Sequence, residues 1–187
     1  MKRILNYFFK FSHYKMEGSL NFLGFIKNTD RIVISTEDIE VFKTVAKQNE
    51  GKRIVCTHSG AFHADEVLAT TLTKFSTEFK DSWIIRTRNN EIHKLADLVC
   101  DVGGIHDPSA HRYDHHMKEF TLVYDDILKI KMSSAGLVYK HLGKNIISNL
   151  LKGMGIYEQN KDNIQKIYDK VYVNFIAYVD GADNGIN

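Results

Sequence analysis

The chain has 187 residues, 43% of them hydrophobic and 26% charged, enough apolar content for a folded core. A formal net charge of +2 excludes a protein that meets nucleic acid or membrane through overall charge, so any basic surface must be local. No run reaches the ~18 apolar residues of a membrane-crossing helix, and two cysteines are too few for a disulfide framework or a four-cysteine zinc site.

The first sixteen residues carry Lys2, Arg3, Lys10 and Lys15 with no acid before Glu17, a composition compatible with a mitochondrial transit peptide or with a plain extension. Residues 1–30 show no clean period and read as an appendage, leaving 31–187 as one domain. Ile32, Val33 and Ile34 suit a short strand. Ser35 or Thr36 can cap a helix to about Gln48, with Glu37 and Asp38 in its first turn and Gly51 beyond its end. The apolar run from Arg53 to Thr57 reads as a buried strand. A polar loop, His58 to His63, follows it. A helix starts near Ala64, with Val67, Leu68, Leu72 and Phe75 turned inward. Trp83 to Arg86 is a second buried strand. Ile92, Leu95 and Ala96 suit a short helix, and Leu98 to Val102 is a third strand, ended by Gly103 and Gly104. Cys56 and Cys100 each close an apolar run and read as small buried residues of neighbouring strands.

Strands alternating with helices imply an α/β fold, a mostly parallel sheet with helices on both faces. Ligands in such sheets gather beyond the carboxyl ends of the strands. The second half is helical. Ser133 or Ser134 can cap a helix through Leu142 that Gly143 stops, and a second helix carries an apolar stripe from Ile164 to Val179 before ending at Asp180 to Gly185. Asp180 and Asp183, three apart, share a face if that last turn persists.

Four polar segments stand apart: His58 to Asp65, then Asp101, then Asp114-His115-His116, then Asp180. Singly each has a bland reading as a surface, cap or turn residue. Together they supply only carboxylate oxygen and imidazole nitrogen, a donor set that suits Mn²⁺ or Mg²⁺ better than structural zinc. Two ions roughly 3.5–4 Å apart need a shared carboxylate and about six donors from several loops.

The run Thr57 to Glu66 resembles the first motif of the melanocyte proliferating gene family, also called the metal-dependent protein hydrolase family, within the DHH phosphoesterase superfamily. Arg86-Thr87-Arg88 resembles its second motif. Asp101 to Gly104, with Asp107-Pro108 and His111 to His116, is similar to the third, and Val179 to Gly185 to the fourth. The order is the family's, from about Lys52 to Asn187. Asn89 stands where the family carries an acid, and Met117 where it carries a polar residue. The family continues into a second domain, so this stretch is expected to be the N-terminal DHH-like domain alone.

The resemblance implies a fold and a set of roles. His58, His63, Asp65, His115 and Asp180 would be metal ligands, and Asp101 would bridge two divalent cations, Mn²⁺ before Mg²⁺. His116 would face the scissile phosphate, and Asp114 and Asp183 would orient ligands from behind. Arg86, Arg88 and Arg112 would grip neighbouring phosphates, with His116, Asp101 and Arg112 as the catalytic group. The expected activity is metal-dependent phosphodiester hydrolysis, specifically 3′-5′ exonuclease trimming of RNA, located in the mitochondrion or nucleus, with the cytoplasm as alternative. Hydrolysis of a small phosphate compound is the nearest competing enzyme reading, and a non-catalytic metal-binding domain the competing reading of another class. Peptide hydrolysis ranks last, since no residue is placed to orient a peptide carbonyl.

Overall fold

A computed structural model describes residues 33–49 and 51–186. The N-terminal extension, including Lys2, Arg3, Lys10 and Lys15, and residue Ile32 lie outside the described residues. Three apolar runs form the centre of the sheet: β2 (Ile54–Thr57), β3 (Trp83–Arg86) and β4 (Leu98–Cys100). With β1 (Val33–Ser35), β5 (His106–Asp107) and β6 (Arg112–Tyr113) they make a six-stranded sheet of order β1-β3-β2-β4-β6-β5. Every pairing is parallel except β5 with β6. The sequence predicted the three central strands; β4 is two residues shorter than expected, because Asp101 leaves the strand with a φ of 63°.

Side chains alternate across the sheet with the period of two that strands impose. Val55, Ile84, Leu98 and Cys100 enter one core, while Ile54, Cys56, Ile85 and Val99 enter the other. The second core is closed by α1 (Ile39–Gln48) and α3 (Asn90–Leu95) through Phe42, Ile92 and Ala96. The first, larger core is closed by α2 (Ala64–Thr73) and α4 (Ser134–Gly153), with Ala69, Leu137 and Val138 buried. Helices thus cover both faces, as a parallel sheet requires. Cys56 and Cys100 are free and buried, and among the described residues no helix is long and apolar enough to cross a membrane.

Local expectations need several corrections. Asp38, not Ser35 or Thr36, caps α1, its carboxylate accepting from the amides of Glu40 and Val41; Thr36 Oγ1 instead accepts from the amide of Asp38. Val67 faces solvent and Leu95 is exposed, since the burial of α2 passes through Asp65, Ala69 and Thr73, and that of α3 through Ile92 and His93. Gly143 does not stop α4, which runs ten residues further to Gly153. A β-carbon there would lie 2.8 Å from the Tyr168 ring and 3.0 Å from that of Tyr139, so the glycine lets helices approach. Tyr168 lies on α6 (Ile164–Val171), which follows the short α5 (Tyr157–Asn160). The apolar stripe beginning on α6 then passes through a π-helical turn, Tyr172–Ile176, into α7 (Ala177–Asp183). That helix ends at Asp183, within the expected stretch from Asp180 to Gly185, and its last turn keeps Asp180 and Asp183 on one helix.

Chain order places a crevice above the sheet. From β2 the chain returns through α2 to β3 on one side, whereas β4 lies on the other side and leads away through β5 and β6. Loops leaving the carboxyl ends of β2 and β4 therefore diverge, the position at which open parallel sheets bind ligands.

Candidate metal centre

The loop after β2 carries His58 and His63, and the first turn of α2 carries Asp65 and Glu66. Asp101 follows β4, His115 follows β6, and Asp183 closes α7. These residues converge. His58 Nε2 lies 3.3 Å from Asp101 Oδ2. His115 Nε2 lies 3.1 Å from Asp101 Oδ1, 3.4 Å from Asp183 Oδ2 and 3.6 Å from Asp65 Oδ2. The rings of His58 and His63 are 4.9 Å apart. Four groupings bring donor atoms close enough to share an ion: His58 with His63 and Asp101; Asp101 with His115 and His116; Asp65 with His115 and Asp183; and Asp65 with Glu66 and Asp101. Asp101 belongs to three of them, the position a bridging carboxylate would hold.

His58, Asp65, Asp101 and His115 are buried, while His63 and His116 are exposed at the rim. Four buried side-chain atoms of this cluster, His58 Nε2, Asp65 Oδ1, Asp101 Oδ2 and His115 Nδ1, have no hydrogen-bond partner among the described residues. Leaving such an atom unpaired costs on the order of 1–3 kcal/mol, which a water or an ion within the cluster would offset. The donor set and these atoms fit divalent cations.

The electrostatics agree. Burial works against charge on His115, yet Asp101, Asp65 and Asp183 outweigh it and lift the imidazole pKa to about 9. Burial also opposes ionisation of Asp65, but hydrogen bonds with His115 and Ser134 hold its carboxyl well below the ordinary range. Burial and the charge of Asp65 push Asp101 and Asp183 upward. Crowded acids of this kind are stabilised by a cation between them.

Neighbouring groups hold the donors in place. Ser134 Oγ, in the first turn of α4, donates to Asp65 Oδ2 at 2.7 Å. Asp114 accepts through Oδ1 from the amides of His115 and His116 and from His116 Nδ1 at 2.7 Å, and through Oδ2 from the amide of Gly104. Asp114 thus orients the histidine pair, and His116 keeps its Nε2 edge for the cavity. Glu66 Oε2 accepts from the amide of His63 at 2.6 Å and its Oε1 lies 3.4 Å from Arg86 Nη2. Glu37 ties three loops together: it accepts from Ser59 Oγ at 2.6 Å, Thr87 Oγ1 at 2.9 Å and the amide of Arg88 at 2.9 Å.

Three of the expected residues lie outside the cluster and the lining of its cavity. Asp180 does not join the cluster. It is fully buried, its Oδ1 accepting from the amide and hydroxyl of Ser133 and from the amide of Gly136, its Oδ2 from the Tyr172 hydroxyl at 2.6 Å. It satisfies free amides at the start of α4, a capping task the Ser133 side chain does not perform. Asp183, not Asp180, lies beside the cluster, its Oδ2 3.4 Å from His115 Nε2. Arg86 is buried and spent on the carbonyls of His58, Gly60 and Ala61, so it shapes the β2 loop rather than meeting substrate. Arg112 is spent likewise, on the carbonyls of Ala110, His93 and Ala96. Arg88 alone of the three arginines lines the cavity beside the cluster. That cavity, about 300 Å³, is also lined by His58, His63, Asp101, Gly103, His116 and Met117. Glu66, Ser134 and Glu37 were not singled out from sequence; Glu66 lay inside the first motif, and the other two gave no signal beyond ordinary capping.

Comparison with known proteins agrees with the motif reading. Residues 54–187 match the model of the MYG1 exonuclease family, described as Uncharacterised protein family (UPF0160). A human protein named MYG1 exonuclease is 43% identical over 136 residues, 70% of this chain and 35% of its own. The MYG1 protein of Dictyostelium discoideum is 43% identical over 132 residues, 71% of this chain and 38% of its own. The MYG1 protein YER156C of Saccharomyces cerevisiae is 37% identical over 145 residues, 78% of this chain and 41% of its own. The chain therefore spans little more than a third of the length of these relatives. No solved structure matches it. With a family model covering most of the chain and the motif residues gathered in one crevice, the chain belongs to the MYG1 family.

Proposed function

We propose that this chain is the cation-binding part of a phosphodiester hydrolase that removes nucleotides from the 3′ end of RNA, built on the DHH phosphoesterase plan. The observation that carries this reading is the buried convergence of His58, Asp65, Asp101 and His115, with donor atoms lacking any partner. His58, His63, Asp65, Asp101, His115 and Asp183 would hold two divalent ions, Mn²⁺ or Mg²⁺. Bound there, such ions supply Lewis acidity at a phosphoryl oxygen and water of lowered pKa.

The remaining chemistry belongs to the chain itself. His116 is anchored through Nδ1 to Asp114, which holds its Nε2 edge toward the cavity; as imidazolium it would donate from Nε2 to a phosphoryl or leaving oxygen there. Arg88 offers a fork of donors to a neighbouring phosphate. Glu37 holds the backbone at Arg88 and the β2 loop in register, which keeps the two sides of the cavity at fixed separation. The exonuclease named among the relatives supports nucleic acid as substrate class.

The test is cleavage of RNA and DNA labelled at either end, with Mn²⁺, Mg²⁺ or chelator. Stepwise shortening of 5′-labelled RNA that Asp101→Asn abolishes is expected; cation-independent cleavage, or none on any phosphodiester, would overturn the reading. One observation favours a second reading. A 300 Å³ cavity stands at the small end of ligand pockets, which also suits a small phosphate compound such as a short oligonucleotide or pyrophosphate. Turnover of those substrates with none on RNA would select it.

A further inference from the structure

Phe62 stands between His58 and His63, in the loop that carries two imidazoles of the cluster, and 71% of its surface is open to solvent. A ring of that size belongs in a core or against a partner. Its position has a defined backing: the Arg86 guanidinium carbon lies 3.7 Å from the ring centroid. Arg86 is itself buried and donates to the carbonyls of His58, Gly60 and Ala61. The same group therefore props one face of the ring and braces the backbone on which the ring is mounted. The ring does not line the 300 Å³ cavity itself, but its loop neighbours His58 and His63 do, so its open surface stands at the cavity's rim. A rigid ring on a braced loop loses little freedom when a flat ligand covers it, and a nucleobase presents a flat π-face whatever its identity.

We propose that Phe62 is a stacking platform for the nucleobase adjoining the phosphodiester in the crevice. The proposal rests on the phosphodiesterase reading above and adds the feature that would select a nucleic acid over a bare phosphate compound. Stacking of this kind is tolerant of sequence, so the preference it creates is for single-stranded chains over base-free esters, not for one base over another.

The test uses a single-stranded oligonucleotide carrying 2-aminopurine at its 3′ end, whose emission falls on stacking, with protein in Ca²⁺ or Mn²⁺. Quenching by the wild-type chain is expected. Phe62→Ala should remove it and weaken binding about tenfold, and Phe62→Trp should keep it. In turnover, Phe62→Ala should raise KM for the oligonucleotide about tenfold and leave KM for an abasic strand of the same length, which has phosphodiesters but no bases to stack, unchanged. Equal effects on both substrates, or unchanged quenching in Phe62→Ala, would overturn the proposal. So would a change in self-association by light scattering with oligonucleotide binding intact, which would mean that the ring serves a protein contact. Phe62-dependent quenching without hydrolysis of any phosphodiester would sustain the platform and sink the hydrolase reading, so the two fail separately.

Discussion

Asp180 and Asp183 lie one helical turn apart on α7, yet the structure gives them opposite work, and a pair of matched substitutions separates the two. Asp180 accepts four hydrogen bonds in a fully buried setting, three of them from the start of α4. Burial raises both carboxyls, but at Asp180 hydrogen bonds from Tyr172, Ser133 and Gly136 oppose it, and Asp180→Asn keeps the shape and one acceptor oxygen while placing an amide against the Tyr172 hydroxyl. Hydrogen bonds to charged groups contribute about 1.5–3 kcal/mol each. They are not additive here, because Asn retains part of the set, so a loss on the order of 2 kcal/mol is expected. The ion-pair partner of Asp183 among the described residues is His115 at 3.4 Å, and burial and Asp65 push its carboxyl toward the neutral form. Asp183→Asn should therefore cost almost nothing without cation, and can even stabilise the fold. With cation the order reverses: losing a ligand should weaken affinity at least tenfold, about 1.4 kcal/mol of the stabilisation that saturating ion provides. Urea unfolding in chelator and in Mn²⁺, with calorimetric titration of the ion, reads both effects. If Asp180→Asn loses the cation response while keeping its stability in chelator, and Asp183→Asn does the reverse, the assignment is wrong and Asp180 is the ligand.

Four further outcomes follow from the same geometry. His115, lifted to about 9 among its carboxylates, contributes stability that is present below its unfolded value near 6.5 and is lost as pH rises through 9, on the order of 3 kcal/mol in chelator. A cation must displace that proton, so titrations at pH 7 and 8 should show affinity rising about tenfold over the unit. His116→Ala should lower turnover at least tenfold with metal content unchanged by elemental analysis; lost metal would make His116 a ligand. Glu37→Gln weakens the clasp on Ser59, Thr87 and Arg88, and steady-state kinetics should show KM up several-fold with cation affinity unaltered. Gly143→Ala drives a methyl against the Tyr168 and Tyr139 rings and should cost about 1–3 kcal/mol by thermal unfolding, with no change in cation affinity.

The sheet and the gathering of the motif loops were legible because they rest on short-range signals. Apolar runs of four or five residues ending at polar loops admit little besides buried strands in an α/β chain, and loops after parallel strands must share an edge. Strands β5 and β6 carried no such signal: His106, Asp107, Arg112 and Tyr113 are polar or aromatic residues paired only through backbone. The positions of Arg86 and Arg112 away from the cavity were not legible for a related reason. A guanidinium has five donors, and backbone carbonyls exposed by tight loops claim them before any substrate can; Arg86 and Arg112 each serve three carbonyls. Those carbonyls converge on a guanidinium only once the chain has folded.

The choice between Asp180 and Asp183 turns on one feature of helix geometry. An α-helix advances 100° per residue, so the apolar stripe from Ile164 predicts which later side chains face the core. The π-helical turn at Tyr172–Ile176 inserts extra backbone into that count and rotates everything after it. Past the turn Asp180 points at the first amides of α4, where Gly136 leaves room that a β-carbon would fill, 2.8 Å from the carboxyl carbon. Asp183 is then the acid brought to His115. Such turns recur at functional sites because they re-aim a helix end without breaking it, and here the consequence is mechanical. Asp180 fixes the start of α4, Ser134 in that same first turn donates to Asp65, and Asp183 reaches the imidazole that Asp65 shares. One irregular turn thus sets both acids of α7 against the same cluster, one through a neighbouring helix and one directly.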